Sequence, residues 1–416
     1  MKFENTRLFA EQLDQNDPLI SYREKFHYPI NENGNEVLYL CGNSLGLQPK
    51  SVRFFVEKEL AVWEKEGVLG QHGRWEKFHE KLIDSSARLV GAKSSEVVVM
   101  NALTVNVNLL LVSFYKPTSE RYKIVIEKGA FPSDQYAVES QIKFHGFDPK
   151  TSLIELAPRD GEKCLRNSDI QQVIRENANE ISTILLGGVN YYTGQAYDFQ
   201  SITDTGHEIG ALVGFDLAHA AGNLILNLHD WHVDFAAWCT YKYLCAGPGA
   251  PSGIFVHENH HDWEGSRFTG WWGHNKSTRF EMGPDFDPII GAEGWQISNA
   301  PVMGMAPLRA SMAIYDEVGM KAIREKGDKL TGYLEFLIYE KLPDMEIITP
   351  SIAKDRGCQL SLVIPGGEAV FKSISAQGVI CDWRDPDVIR IAPHPLYNRF
   401  SEVYDLVYLL KQTISG

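Results

Sequence analysis

Between residues 95 and 260 the chain carries a series of short, nearly continuous apolar runs: Val97–Met100, Lys123–Ile126, Ile181–Leu186, Ala211–Phe215, Phe235–Cys239 and Gly253–Val256. A strand with one wet face alternates polar and apolar residues, so runs without alternation suit strands buried on both faces. Longer amphipathic stretches separate them, and strands joined through helices pair in parallel. The predicted class is therefore α/β, with a mostly parallel central sheet flanked by helices.

Past residue 300 the rhythm changes. Pro307–Val318 reads as a helix leaving that sheet, Gln359–Ile364, Gly378–Cys381 and Val388–Ala392 read as strands, and Ser401–Thr413 as a closing amphipathic helix. A chain of 416 residues accommodates one large unit and a smaller one. The expected division is an N-terminal segment, residues 1–45, packing on the small domain; a large domain, residues 46–300; and a small C-terminal α+β domain, residues 301–416.

The net charge of −14 comes without a basic stripe, which argues against nucleic acid or an anionic membrane as partner. No apolar run reaches spanning length, and the first residues, Met1-Lys-Phe-Glu-Asn-Thr-Arg7, are charged where a signal peptide is apolar. The six cysteines, Cys41, Cys164, Cys239, Cys245, Cys358 and Cys381, form no Cys-x-x-Cys pair. They fit reduced thiols, and the expected location is cytoplasmic.

In open parallel sheets ligands bind beyond the carboxyl ends of the strands. After Ala211–Phe215 comes Asp216-Leu-Ala-His219, and after Phe235–Cys239 comes Thr240-Tyr-Lys242. Singly, such an Asp is a helix cap and such a Lys a solvated surface group. Together they are what a pyridoxal phosphate enzyme requires: a carboxylate that keeps a pyridine nitrogen protonated, and an amine that forms the imine and shuttles protons.

Two further strand ends complete the set. Val97–Met100 leads into Asn101-Ala-Leu-Thr104 and an apolar helical run to Phe114, so free N–H groups at that helix start, with the Thr104 hydroxyl, suit a phosphate. Tyr122–Ile126 is followed by Phe131-Pro-Ser-Asp134, where Phe131 suits stacking on a ring and Ser133 or Asp134 suits a cap or a cofactor contact.

These segments resemble the kynureninase family. The resemblance is carried by Tyr39-Leu-Cys-Gly-Asn-Ser-Leu-Gly-Leu-Gln-Pro49, Met100-Asn-Ala-Leu-Thr-Val-Asn106, Ala130-Phe-Pro-Ser-Asp134, Tyr192-Thr-Gly194, Gly214-Phe-Asp-Leu-Ala-His-Ala220, Tyr241-Lys-Tyr-Leu244, Gly270-Trp-Trp-Gly-His274, Ile297-Ser-Asn299 and Ile389-Arg-Ile-Ala-Pro393, in order along the chain. It implies an aspartate-aminotransferase-like fold and a homodimer with sites shared between subunits. It also implies hydrolysis of kynurenine or 3-hydroxykynurenine to anthranilate or 3-hydroxyanthranilate plus alanine, in tryptophan degradation and NAD biosynthesis.

Carried over by that resemblance, Lys242 is the Schiff-base lysine and Asp216 the partner of the pyridine nitrogen. Leu103, Thr104, Phe131, Pro132, Ser133, Asp134, Gly187, His219 and Tyr241 line the cofactor, and Trp271 and Asn299 complete the site from the neighbouring subunit. Arg390 binds the substrate α-carboxylate, a pairing that suits a guanidinium fork; Ser44, His72 and Asn299 belong to the substrate side, and Arg384 is the rival of Arg390 or a surface ion pair. Tyr241 is the candidate acid/base, with a pKa lowered by the lysine imine, or else a phosphate ligand. Some relatives have serine where this chain has Gly187, so a hydroxyl contact to the cofactor is expected to be absent.

Two other readings stand beside this one: a different pyridoxal enzyme of the same fold, such as a cysteine desulfurase or aminotransferase, and a non-catalytic α/β protein that binds a ligand or a metal. The second would use His257-Glu-Asn-His-His-Asp262, whose spacing a polar connector explains with fewer assumptions; no metal is expected.

Overall fold

The structure is a computed structural model that describes residues 2–364 and 366–415. Its strands, in chain order, are β1 Leu38–Tyr39, β2 Val97–Met100, β3 Lys123–Glu127, β4 Leu153–Leu156, β5 Ile181–Gly187, β6 Leu212–Asp216, β7 Phe235–Trp238, β8 Ser252–Val256, β9 Glu346–Ile347, β10 Leu360–Val363, β11 Val379–Ile380, β12 Asp382–Arg384 and β13 Val388–Ile391. The six apolar runs became β2, β3, β5, β6, β7 and β8. β4 escaped the reading because it lies at the sheet edge, where Leu153-Ile-Glu-Leu156 has only Leu156 buried and so gives little apolar signal.

The large sheet runs β2-β8-β7-β6-β5-β3-β4. β8 is antiparallel to both neighbours, β2 and β7, and the remaining pairs are parallel. The carboxyl ends of β2, β3, β5, β6 and β7 therefore meet at one edge. Helices cover the faces: the ring of Phe114, from the helix Leu103–Phe114, stacks on Phe235 of β7 at 4.7 Å between centroids. Gly214 in β6 makes that possible, since a Cβ there would stand 2.2 Å from the Phe235 ring.

A second core gathers Leu330, Leu334 and Leu337 with β10, β13 and the final helix Phe400–Ser415, and it includes Ala10 and Leu40 from the N-terminus. Its sheet, β12-β13-β10-β9, is antiparallel throughout. β1 pairs in parallel with β11, which sews the N-terminal segment to this unit and places Ser44 beside it. The helix Val302–Val318, by contrast, buries Met305, Leu308 and Met312 in the core of the large sheet.

Candidate functional site

The chain leaves β2 through Asn101, at φ 46, a left-handed conformation that asparagine tolerates. Asn101 is held by its amide donating to Asn106 Oδ1 at 3.1 Å, and Asn106 in turn donates to the Met100 carbonyl at 2.9 Å. The helix that follows starts at Leu103 with no side-chain cap. Its first N–H groups are thus left for another acceptor, and Ala102, Leu103 and Thr104 face a cavity at the sheet edge.

Across that cavity stand Lys242, after β7, and His219, after β6; Lys242 Nζ lies 3.0 Å from His219 Nε2 and 5.7 Å from the centroid of the Phe131 ring. Burial, then the nearby charge of Lys242, holds the His219 imidazole well below its ordinary pKa, so it is neutral. Its Nδ1 is buried without a hydrogen-bond partner.

Asp216, the last residue of β6, accepts the Ala218 N–H at 2.7 Å, and its carboxyl group hydrogen-bonds that of Asp134. Burial and then the charge of Asp216 push Asp134 well up. Burial raises Asp216 too, but the Ala218 N–H and the Asp134 hydrogen bond favour its charged form, so the shared proton sits on Asp134 and the negative charge on Asp216.

Glu127, Val189, Tyr191 and Ala218 also line the cavity and were not singled out in the sequence. Only Glu127 had a legible signal, a carboxylate directly after the apolar run Ile124-Val-Ile126. It fills the gap at Gly187: the Gly187 N–H donates to Glu127 Oε1 and Oε2 at 3.2 and 3.1 Å, and a Cβ on residue 187 would lie 2.7 Å from Oε1. The wall expected to lack a hydroxyl at Gly187 therefore carries a carboxyl group. Burial, then the charge of Asp216, raises its pKa to about 7.

The small domain brings up two arginines. Arg390 is almost wholly buried and donates to the Tyr191 carbonyl at 2.6 Å, and its other Nη pairs with Asp382. Arg384 reaches the same Asp382 oxygen at 3.2 Å and Ser44 donates to it at 2.5 Å. Nε of both arginines is buried with no acceptor. Arg384 is thus part of the Arg390 cluster as well as an ion pair, and Asp382, which links them, was missed because the strand pairing that sets it beside Arg390, and the distant Ser44 that donates to it, are not visible along one segment.

Other expected residues do not line this cavity. Pro132 occupies the first turn of the helix Pro132–Phe144, and Trp271 donates its indole N–H to the Arg279 carbonyl at 3.0 Å. Asn299 lines a separate groove with Gln71 and Trp75, beside His72, whose Nδ1 lies 3.2 Å from Glu76 Oε1. Tyr241 lines the cavity, but burial and then the Cys239 thiol push its phenol up, not down. The phenol therefore keeps its proton here.

The histidines after β8 take separate partners. His260 reaches Asp234 at 2.6 Å, while His257 stacks on His229 and accepts the Asn259 N–H at 3.1 Å. Glu96, His229 and His257 do approach one another, yet the Glu96 carboxylate already accepts the N–H groups of Lys93 and Glu258.

An uncapped helix start, an aromatic wall, a carboxylate with a protonated neighbour and an amine 3.0 Å from a neutral imidazole match, in order, the phosphate, ring face, ring nitrogen and aldehyde of pyridoxal phosphate. The orphaned His219 Nδ1 adds an unused polar atom in the same wall. The residues fit this cofactor.

Comparison with solved structures agrees on the fold. A cysteine desulfurase from Thermococcus onnurineus NA1 superposes with a TM-score of 0.77 over 95% of this chain and 98% of its own, at 18% identity. A C-DES variant with glycine covalently linked to its PLP cofactor superposes at 0.78 over 94% and 98%, at 16% identity. At such identities the likeness speaks for a fold type I architecture, not for an activity.

The sequence comparisons are closer. The signature described as the kynureninase C-terminal domain matches residues 323–410. The chain is 53% identical to a kynureninase of Myxococcus xanthus over 98% of its length and 97% of the relative's. It is 54% identical to one of Koribacter versatilis over 97% of both, and 46% identical to one of Nematostella vectensis over 97% and 93%. With Lys242, Asp216, Phe131 and Thr104 assembled at one sheet edge and relatives matched over nearly their whole length, the chain belongs to the kynureninase family of pyridoxal phosphate enzymes.

Proposed function

We propose that this chain hydrolyses the Cβ–Cγ bond of L-kynurenine and 3-hydroxy-L-kynurenine, releasing L-alanine and the aryl carboxylic acid, and prefers the 3-hydroxy substrate. The observation that carries the reading is the assembly of Lys242, His219, Asp216 and Phe131 in one cavity beside the Arg390 cluster. When bound, pyridoxal phosphate supplies an electron sink for the carbon attached to the substrate nitrogen.

The protein's own residues do the rest. The N–H groups at the start of the Leu103–Phe114 helix, with Thr104, would hold the phosphate, and Phe131 would offer its aromatic face to the ring. Asp216 keeps the ring nitrogen protonated, its charge maintained by the Ala218 N–H. Arg390 takes the substrate α-carboxylate; the Nε donors of Arg390 and Arg384, buried without acceptors, support an anion there. Lys242 Nζ, once released, takes the proton from the substrate Cα, and neutral His219 beside it competes for no proton. Water adds to the γ-carbonyl, and Tyr241, held in its protonated form, donates to the developing oxyanion.

Trp271, Asn299 and His72 act in the site of a partner subunit. What supports this is their position outside the cavity of their own chain, together with the exposed Trp63 that lines the Asn299 groove and the exposed Val68 and Leu69 just before its Gln71. His72 and Asn299 would then meet the substrate 3-hydroxyl. The reaction belongs to tryptophan degradation and pyridine nucleotide biosynthesis in the cytoplasm, a location supported by six free cysteines; no described helix is long and apolar enough to cross a membrane.

The deciding experiment is to supply purified protein with kynurenine and, separately, 3-hydroxykynurenine, and to follow the aromatic product of each. Equal specificity constants would remove the preference, and release of sulfide from cysteine without either aromatic acid would replace the whole reading by that of a desulfurase.

A further inference from the structure

Three carboxyl groups meet in the cofactor cavity, where ring recognition by Asp216 needs one. Glu127 ends β3, Gly187 ends β5 and Asp216 ends β6, and these three strands are neighbours in the sheet. The Glu127 carboxyl group lies over the backbone of Gly187, accepts its N–H with both oxygens, and occupies the volume a side chain at 187 would need. It is buried yet lines the cavity. The ionisable groups around it come from every side: Asp216 from β6, Asp134 from the helix Pro132–Phe144, Tyr197 from the segment after β5, and Lys242 and His219 from the loops after β7 and β6.

We propose that Glu127, seated in the space left open by Gly187, is a cofactor-positioning residue whose carboxyl group loses its proton as the cationic pyridine ring is captured beside Asp216. The physical reason is charge balance. With Asp216 ionised against Lys242 and Asp134 protonated, a second anion in this buried cluster is unfavourable until a further positive charge arrives. A ring protonated at nitrogen supplies that charge, and an ionised Glu127 then adds attraction that no neutral side chain at 187 provides. Glu127 is poised to respond near neutrality, because burial and the Asp216 charge push its carboxyl group up to about 7.

The sign follows from linkage. If capture releases the Glu127 proton, affinity rises with pH up to the pKa of the free protein and levels off above it, by at most tenfold per pH unit for one proton. Glu127→Gln keeps an oxygen to accept the Gly187 N–H but cannot ionise. Titrating the apoprotein with pyridoxal phosphate and reading the quenching of tryptophan fluorescence gives the dissociation constant of each protein across pH. The expected result is similar affinity at pH 6 and roughly tenfold weaker binding by the variant at pH 8. An unchanged ratio across that range would mean that Glu127 only ties β3 to β5, and would overturn the proposal. Infrared difference spectra of the unaltered chain give an independent reading: adding pyridoxal phosphate at pH 6.5 should remove protonated-carboxyl intensity, and at pH 8.5 should not. Equal spectra at the two pH values would also overturn it.

Discussion

Nζ of Lys242 lies 3.0 Å from Nε2 of His219, and the imidazole is held neutral by burial and by that amine. Two cations in this pocket would repel, so the neutral ring lets the lysine sit at the end of β7 with a polar neighbour that takes no charge. Replacing Lys242 by alanine removes the group proposed to link the cofactor and to move the Cα proton. Turnover should fall by about 10³-fold or more, and borohydride should no longer fix the chromophore to the protein; retention of a tenth of the activity would assign the proton transfer elsewhere.

The stability of the apoprotein should depend on pH through Glu127 and Asp134. Both carry folded-state pKa values raised by burial, Glu127 from 4.5 to about 7. Between those values the folded state binds more protons than the unfolded one, so stability is highest at the acid end and declines as pH rises through about 7. Urea midpoints measured at pH 5.5 and pH 8 should show this decline, and Glu127→Gln should flatten it.

Arg390 and Arg384 share one carboxylate, that of Asp382, and both keep an unsatisfied Nε. Arg390→Lys loses the planar fork that grips a carboxylate by two bonds. A loss of about 1.5–3 kcal/mol for a charge-assisted bond corresponds to a KM raised roughly 10–100-fold, with kcat changed less. Steady-state kinetics would check it, and the same substitution at Arg384, which is more exposed, should have the smaller effect.

The proposal that sites are shared between subunits can be tested by mixing. Lys242→Ala and Asn299→Ala chains are each defective. A hybrid dimer places an intact Lys242 and an intact Asn299 in one of its two sites, so an equimolar random mixture should recover about a quarter of the unmodified activity. Recovery of none would place both residues in the same subunit's site.

The succession of uninterrupted apolar runs made the α/β class and six of the seven large-sheet strands legible, because burial on both faces leaves a signal in every residue of a strand. Lys242, Asp216 and Thr104 were legible for a related reason, since each stands at or just past the end of an apolar strand or in the first turn of a helix. β8's reversed direction left no such trace. Neither did β4, whose edge position asks little of its side chains.

Local pattern thus determined which residues stand at strand ends and which chemistry they offer. Tertiary structure decided what those residues meet: Glu127 in the space over Gly187, Asp134 sharing a proton with Asp216, Asp382 between two arginines, and Asn299 beside the Gln71–Trp75 turn instead of Lys242. Those relationships join residues up to hundreds of positions apart. They depend on strand order, register and burial, which periodicity along a single segment does not encode.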